Sequence, residues 1–149
     1  EAPAAVLHIG IGGATGFPPG TLVLGVEAVY RDIAAAVPVV DRALPDAALL
    51  AALRAAAPTA PVVPIVTGAA VSGPRAPREH GLEVEAMEGF GVLRACELAG
   101  VPAVEVRVVA NEIGEENRGL WRIDEALEVL GDALPGLLAA VAETASGRA

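Results

Sequence analysis

The sequence predicts an α/β protein in which a mostly parallel or mixed central sheet is covered by helices on both faces. Three observations favour this fold class. Short Val-rich runs alternate along the chain with longer segments of helical periodicity. The length of 149 residues allows one domain with a sizeable core, which we expect to span residues 1–149. Only 3% of the residues are aromatic, so small Ala and Val side chains must supply most contacts between the layers.

Composition and motif content argue against several classes of partner. The net charge of −9 and the lack of a basic cluster argue against nucleic acid. No apolar run reaches the roughly 20 residues of a membrane span. Neither a Cys/His spacing for zinc nor an Asp-rich magnesium cluster occurs, so we expect no metal and no cofactor. The single cysteine and the lack of a secretory signal favour the reducing cytoplasm.

The chain opens with a predicted buried strand, residues 4–9, and a glycine-rich segment, residues 10–16. We reject a dinucleotide-binding loop because that motif opens a helix, whereas here a Phe-Pro-Pro-Gly segment leads into a second strand, residues 21–26. The glycines predict a strand-to-loop turn that lets a ligand approach the backbone closely. A tight turn without a ligand is the alternative.

The next helix and strand are predicted from a capping residue and from chain breakers. Asp46 can cap a helix that runs to Ala57. One side of that helix carries three leucines, Leu49, Leu50 and Leu53. Residues 62–67 form a strand in which Pro64 indicates an edge or an irregular position.

A long loop rich in Gly, Pro and charge is predicted over residues 68–81. Loops of this length in compact domains are often functional. His80 within it is interpreted as a solvated side chain. His8, in the first strand, is interpreted as a satisfied core histidine and not as a catalyst.

Residues 84–111 read as a helix followed by a strand. On a helical wheel Glu88 shares its side with small and apolar residues, Val84, Gly91, Val92, Ala95 and Ala99. Burial of a carboxylate there costs on the order of several kcal/mol unless it is hydrogen-bonded. Gly100 and Pro102 end the helix.

The strand over residues 103–110 places Glu105, Arg107, Val109 and Asn111 on one side. Arg107 is an unexpected charge in a Val-rich run. Asn111 lies at the carboxyl end of the strand, the edge at which open α/β sheets bind ligands.

The chain beyond Asn111 begins with a polar loop, residues 112–119. Trp121 then leads into a helix that Asp124 can cap. Pro135 and Gly136 are expected to break this helix, which resumes over residues 137–145.

These residues resemble the nucleoside phosphorylase and nucleosidase family. In that family a Met-Glu pair opens a helix, and the following strand carries Arg and ends in Ser-Asp or Ser-Asn. The corresponding residues here are Met87 and Glu88, then Arg107, then Ala110 and Asn111, with Ala110 in place of the usual Ser. Together with Trp121 ahead of the last helix, the set is most similar to the futalosine hydrolases, and the resemblance covers essentially the whole chain.

The resemblance implies a purine nucleoside as the small-molecule partner and gives most site residues a role. Glu88 would accept hydrogen bonds from the ribose hydroxyls, and Met87 would pack against the sugar or base. Gly12 and Gly13 would contact purine and ribose, and Val71 and Ser72 would line the base. Arg107 would orient Glu88 or the loop beyond the strand; a purely structural ion pair of Arg107 with Glu88 is the alternative.

Asn111 is predicted to choose the base. An aspartate offers acceptors only and suits a 6-aminopurine, whereas an asparagine offers one acceptor and one donor group. Its oxygen can take the N7 proton while its amide donates to O6, which matches hypoxanthine. The alternative is an asparagine that caps a turn at the strand end.

We therefore expect hydrolysis of the N-ribosidic bond of a 6-oxopurine nucleoside, with Asn111 and Glu88 as catalytic residues. The resemblance implies futalosine as substrate, with hypoxanthine and dehypoxanthine futalosine as products in menaquinone biosynthesis. No phosphate cradle is visible, which favours hydrolysis. Methylthioadenosine/adenosylhomocysteine nucleosidase and purine nucleoside phosphorylase are the alternatives within the family. A non-catalytic nucleoside-binding remnant is a further one.

Two expectations concern an N-terminal portion of the protein and its subunit contacts. Family members have further strands ahead of the glycine-rich strand, with a glutamate that activates the attacking water. Glu1 does not match that residue, so we expect an N-terminal portion to be missing here. Relatives use the segment equivalent to residues 27–32 in a subunit contact, which implies a homodimer or higher homo-oligomer; a solvated loop is the alternative for that segment.

Overall fold

The computed structural model describes residues 3–32, 37–69 and 83–147. Strands and helices alternate through much of the chain. Their bounds are β1 Val6–Ala14, β2 Leu22–Tyr30, β3 Arg42–Ala43, α1 Ala47–Ala56, β4 Val62–Thr67, β5 Val84–Ala86, α2 Gly89–Ala99, β6 Ala103–Glu112, a 3-10 turn Arg118–Leu120, and α3 Ile123–Ser146. Within these ranges, no helix has the length and apolar character needed to cross a membrane.

The six strands form one mixed sheet in the order β3-β2-β4-β5-β1-β6. Three neighbouring pairs are parallel, namely β1 with β6, β2 with β4, and β4 with β5. The other pairs are antiparallel. Strand β2 also pairs with β6, which closes all strands but β3 into a ring. The predicted mixed sheet is therefore confirmed, whereas its closure was not predicted.

Helices cover both faces of the sheet, as predicted. Successive side chains of a strand point to opposite faces, and β6 uses the two faces for different neighbours. Its Val104 and Val106 pack with α1 and α3 in the main core cluster, together with Leu24, Leu49, Leu53, Leu137 and Val141. On the other face, Leu93 of α2 packs with Ala28, Ala43 and Ala103.

The predicted α1 and β4 agree closely with the structure. Asp46 Oδ1 accepts hydrogen bonds from the backbone N–H groups of Ala48 and Leu49, both at 3.0 Å. A cap of this kind stabilises a helix by about 1 kcal/mol. Strand β4 has the predicted bounds but is not an edge strand, because it lies between β2 and β5. The irregular position is correct: Pro64 lies beside a register shift in β2 between Gly25 and Glu27.

The predicted start of the second helix is wrong. Residues Val84–Ala86 are a buried strand, and α2 begins at Gly89. A run this short fits either period, and pairing of β5 with β4 and β1 decides the outcome. Glu88 is consequently the residue before the helix and not a member of its buried face.

The glycine-rich segment and the end of β2 also differ from expectation. Strand β1 continues through Gly10–Ala14 along β6, so the turn begins only at Thr15. Strand β2 extends to Tyr30, and its Ala28 and Val29 are buried. A solvated loop over residues 27–32 is therefore wrong for most of that segment, because pairing with β3 and β4 orders it.

The last helix is continuous, contrary to the predicted break. It runs through Pro135, and Arg122 occupies the position before its first residue, so that Asp124 lies in the first turn. Proline removes one backbone hydrogen bond of a helix. Buried residues on both sides of Pro135, namely Ala126, Leu130, Leu137 and Val141, hold the two halves on the sheet.

Candidate active site

A cavity of ≈ 240 Å³ opens at the carboxyl ends of the parallel strands β1 and β6. Strand ends of this kind are where α/β sheets bind ligands. The wall combines predicted and unpredicted residues, namely Ile11, Gly12, Gly13, Glu85, Ala86, Met87, Glu88, Arg107, Asn111, Arg118 and Trp121. Glu88 and Asn111, the predicted sugar and base contacts, thus face one common cavity.

Gly12 and Gly13 lie in β1 itself, where the β1–β6 register shifts. A Cβ on Gly12 would lie 2.7 Å from the backbone oxygen of Glu85. A Cβ on Gly13 would lie 3.0 Å from Nδ2 of Asn111. Gly12 is therefore required by the close approach of the β5 backbone, and Gly13 gives the Asn111 side chain room beside the cavity.

The Glu88 side chain is 57% exposed, so the predicted burial of this carboxylate is wrong. It makes no capping hydrogen bond to α2. Its Oε2 accepts from Nη2 of Arg107 at 3.2 Å. Because the carboxylate is held on one side and open to the cavity, it can accept further hydrogen bonds there.

Arg107 lies at the centre of a polar cluster, although the residue is only 3% exposed. Its Nε donates to Oε1 of Glu105 at 2.9 Å, and its Nη1 to the backbone oxygen of Ile11 at 3.5 Å. Its Nη2 contacts Nε2 of His8 in addition to Glu88. The predicted contact between Arg107 and Glu88 is therefore present, and three further groups fix the guanidinium.

His8 and Glu105 have shifted protonation equilibria. Burial, and then the positive charge of Arg107, lower the pKa of His8. A neutral imidazole whose Nε2 accepts from Arg107 fits this direction, so we assign the proton to Nδ1. Burial raises the pKa of Glu105, while the charge and hydrogen bond of Arg107 act in the opposite direction. The His8 side chain, which is 17% exposed, is thus satisfied by Arg107 as predicted, but it belongs to this polar cluster and not to the apolar core.

Asn111 is buried at the end of β6. Its Nδ2 donates to the backbone oxygen of Glu112 at 2.9 Å. An amide nitrogen carries two hydrogens, so one donor and the carbonyl oxygen can still serve a ligand. The local cap and the predicted base contact are therefore compatible.

Several wall residues were not predicted. Glu85 pairs with Arg31, with 3.7 Å between Oε2 and Nη1. Arg118 stacks over Trp121 with its guanidinium carbon 5.1 Å from the ring centroid. The Trp121 Nε1 donates to the backbone oxygen of Glu115 at 3.0 Å. The available signals in the sequence were the positive charge of Arg118 and the aromatic ring of Trp121, both within a polar segment.

The predicted base contacts Val71 and Ser72, and His80 with them, lie outside the described residues. Within the described ranges, no group of three or more His, Cys, Asp or Glu side chains could hold a metal ion.

The mixed α/β fold agrees with the family to which the sequence points. The sequence model of the Phosphorylase superfamily matches residues 1–144, and the chain belongs to that family. Among curated relatives, it is similar to futalosine hydrolase of Streptomyces coelicolor, with 39% identity over 93% of this chain and 66% of that protein. The predicted family is confirmed.

Solved structures share the fold at low sequence identity. Futalosine hydrolase of Helicobacter pylori strain 26695 superposes with a TM-score of 0.82, 16% identity, and coverage of 91% of this chain and 68% of that one. A methylthioadenosine/adenosylhomocysteine nucleosidase of Colwellia psychrerythraea in complex with adenine gives a TM-score of 0.77, 18% identity, and coverage of 93% and 67%. These likenesses establish the fold class.

Proposed function

We propose that the protein hydrolyses the N-ribosidic bond of a 6-oxopurine nucleoside, and that the nucleoside is futalosine. The observation that carries the proposal is the meeting of Glu88, Arg107 and Asn111 at one cavity. Futalosine as substrate is supported by three curated relatives of that activity. The products would be hypoxanthine and dehypoxanthine futalosine.

Glu88 would hold and stabilise the sugar. A carboxylate can accept from two neighbouring hydroxyls, and cleavage of the bond develops positive charge on the ribose. Arg107 engages Oε2 of Glu88 at 3.2 Å, which orients the carboxylate. Met87 is partly exposed at the same wall and would pack against the sugar or base.

Asn111 would stabilise the departing base. The negative charge that develops on the purine is neutralised when N7 takes up a proton from water, and the Asn111 oxygen would accept a hydrogen bond from the resulting N7–H. Its second amide hydrogen donates to O6. Adenine would leave these groups mispaired, and a site that reads a polar substituent can discriminate by up to about 10⁴-fold.

The attacking water would be activated by a glutamate that the family resemblance places ahead of β1. The chain spans 66% of the length of the Streptomyces coelicolor relative, and assays use the complete gene product. We also propose a cytoplasmic homodimer or higher homo-oligomer, in which the segment over residues 27–32 contributes to the subunit contact. Light scattering of the purified protein measures the number of subunits.

The test is incubation with futalosine, inosine and methylthioadenosine, each with and without phosphate. Release of hypoxanthine from futalosine in the absence of phosphate is the expected result. Strict phosphate dependence would show a phosphorylase, and release of adenine would show a methylthioadenosine-type nucleosidase. Tight binding without turnover would show a nucleoside-binding remnant.

A further inference from the structure

We propose that Glu105 is a positioning residue that, through Arg107, fixes the Glu88 carboxylate at the cavity. The proposal rests on the proposed function, in which Glu88 binds the sugar and Asn111 the base. Glu105 itself does not line the cavity and has no exposed surface, so it acts through another residue.

The cost of burying Glu105 argues for a role beyond packing. Its Oε1 accepts from Arg107, whereas its Oε2 has no hydrogen-bond partner among the residues that the structure describes. Buried acceptors without partners are unfavourable, and a buried ion pair often stabilises no more than apolar residues of the same volume. Packing alone therefore gives little reason for a carboxylate at this position.

The geometry of Arg107 supplies a reason. A guanidinium is planar and rigid, so the direction of one nitrogen fixes the directions of the others. Glu105 holds Nε at 2.9 Å, and the Ile11 backbone oxygen lies 3.5 Å from Nη1. Nη2 is thereby aimed at Oε2 of Glu88. Without Glu105, only the Ile11 backbone oxygen and the ring of His8 would oppose a turn of Nη2 away from Glu88.

Gly89 at the start of α2 provides the space that Glu105 needs. A Cβ at residue 89 would overlap both carboxylate oxygens and lie 2.5 Å from Cδ of Glu105. Gly91 is in the same helix, and a Cβ there would meet nothing within 4 Å. The two glycines thus form a matched pair, in which only one substitution displaces Glu105.

The experiment compares E105Q, E88Q, the double variant E88Q/E105Q, G89A and the control G91A in the full-length protein. Measurements are kcat/KM for futalosine and the dissociation constant of free hypoxanthine. We expect E105Q and G89A to lower kcat/KM by roughly tenfold to a hundredfold, as loss of a supporting contact does elsewhere. Hypoxanthine affinity should stay within about twofold, because Asn111 is untouched, and G91A should match the wild type.

Non-additivity separates positioning from a general loss of structure. If Glu105 acts through Glu88, the double variant should be no slower than E88Q alone. Additive losses, an equal loss of hypoxanthine affinity, or identical behaviour of G89A and G91A would each overturn the proposal.

A crystal structure of E105Q tests the positioning even if the protein hydrolyses no nucleoside. The proposal expects loss of the contact of 3.2 Å between Nη2 of Arg107 and Oε2 of Glu88. An unchanged contact would refute the positioning role. Failure of the proposed function would instead appear as a wild type that cleaves none of the nucleosides.

Discussion

The two faces of β6 show how one strand serves both the core and the candidate active site. Val104, Val106 and Val108 point towards α1 and α3 and have no exposed surface. On the other face lie Arg107 and Asn111, which are polar, 3% and 6% exposed, and line the cavity. Both sets of side chains are therefore buried, but their chemistry differs. The apolar face stabilises the fold. Burial of the polar face costs desolvation free energy but gives a defined arrangement of charges.

The largest effect should come from Asn111→Asp on the polar face. An aspartate cannot donate to O6, so kcat/KM for futalosine should fall by about 10³-fold or more, while the preference for 6-aminopurine nucleosides rises. Steady-state kinetics with both nucleoside classes measure the change.

Asn117→Asp is the matched control. Asn117 Oδ1 accepts from the Gly119 backbone N–H, which an aspartate can also do. The kinetics of Asn117→Asp should stay near those of the wild type. An unchanged preference in Asn111→Asp would exclude Asn111 from base recognition.

Arg107→Met should have the next largest effect, on stability as well as activity. It leaves Glu105 buried without its ion-pair partner, which destabilises proteins by about 3–5 kcal/mol. Urea unfolding measures the loss.

The double variant Arg107→Met/Glu105→Leu removes the whole pair and should regain most of that stability. It should nevertheless keep the loss of activity of Arg107→Met, because Glu88 still lacks its partner. Recovery of activity together with stability would show that the pair serves the fold alone.

Val106→Ala on the apolar face should separate the two functions of the strand. Val106 belongs to the main core cluster, and its truncation should lower the free energy of unfolding by about 1–2 kcal/mol. Below the unfolding transition, kcat/KM should not change. A large loss of activity in the folded variant would mean that the faces are not independent.

The smallest expected effect is the pH dependence contributed by His8. Its folded pKa lies below the ordinary value of 6.5. As the pH falls below 6.5, the unfolded chain binds the proton first, so the free energy of unfolding decreases until the pH passes the folded pKa. The charged groups around His8 are Arg107, Glu105 and Glu88.

His8→Gln should reduce the slope of the free energy of unfolding against pH, because glutamine can accept a hydrogen bond from Arg107 without titrating. Urea unfolding at several pH values between about 5 and 7 measures it. His80→Gln should leave the His8 contribution in place. Equal slopes for the wild type and His8→Gln would contradict the neutral, hydrogen-bonded imidazole.

Sequence patterns correctly predicted the elements that are determined by residues close together in the chain. Helix α1 was predicted from Asp46 and the leucines that follow it, and β4 from its apolar run. These patterns were sufficient because caps and side-chain periods act within a few residues. The Met87–Glu88 pair, Arg107 and Asn111 pointed to the family, which the comparison of sequences confirms. The period of β6 alone placed Arg107 and Asn111 on one side.

Predictions failed where the deciding contacts are distant in sequence. Val84–Ala86 became a strand because β1 and β4 pair with it. Pro135 did not end α3, because the sheet holds the helix on both sides of the proline. Glu88 is exposed because the helix begins after it, a boundary that the helical wheel could not locate.

The sequence by itself determined the α/β class, the family and the residue types of the site, because composition and local periods are read directly from the chain. The tertiary structure alone decided that the sheet closes, that Glu105 lies buried beneath Gly89, and that Trp121 and Arg118 join the cavity wall. These features depend on pairing and packing between residues that are far apart in sequence. Local patterns can mark unusual residues such as Arg118 and Trp121, but they do not determine which residues meet.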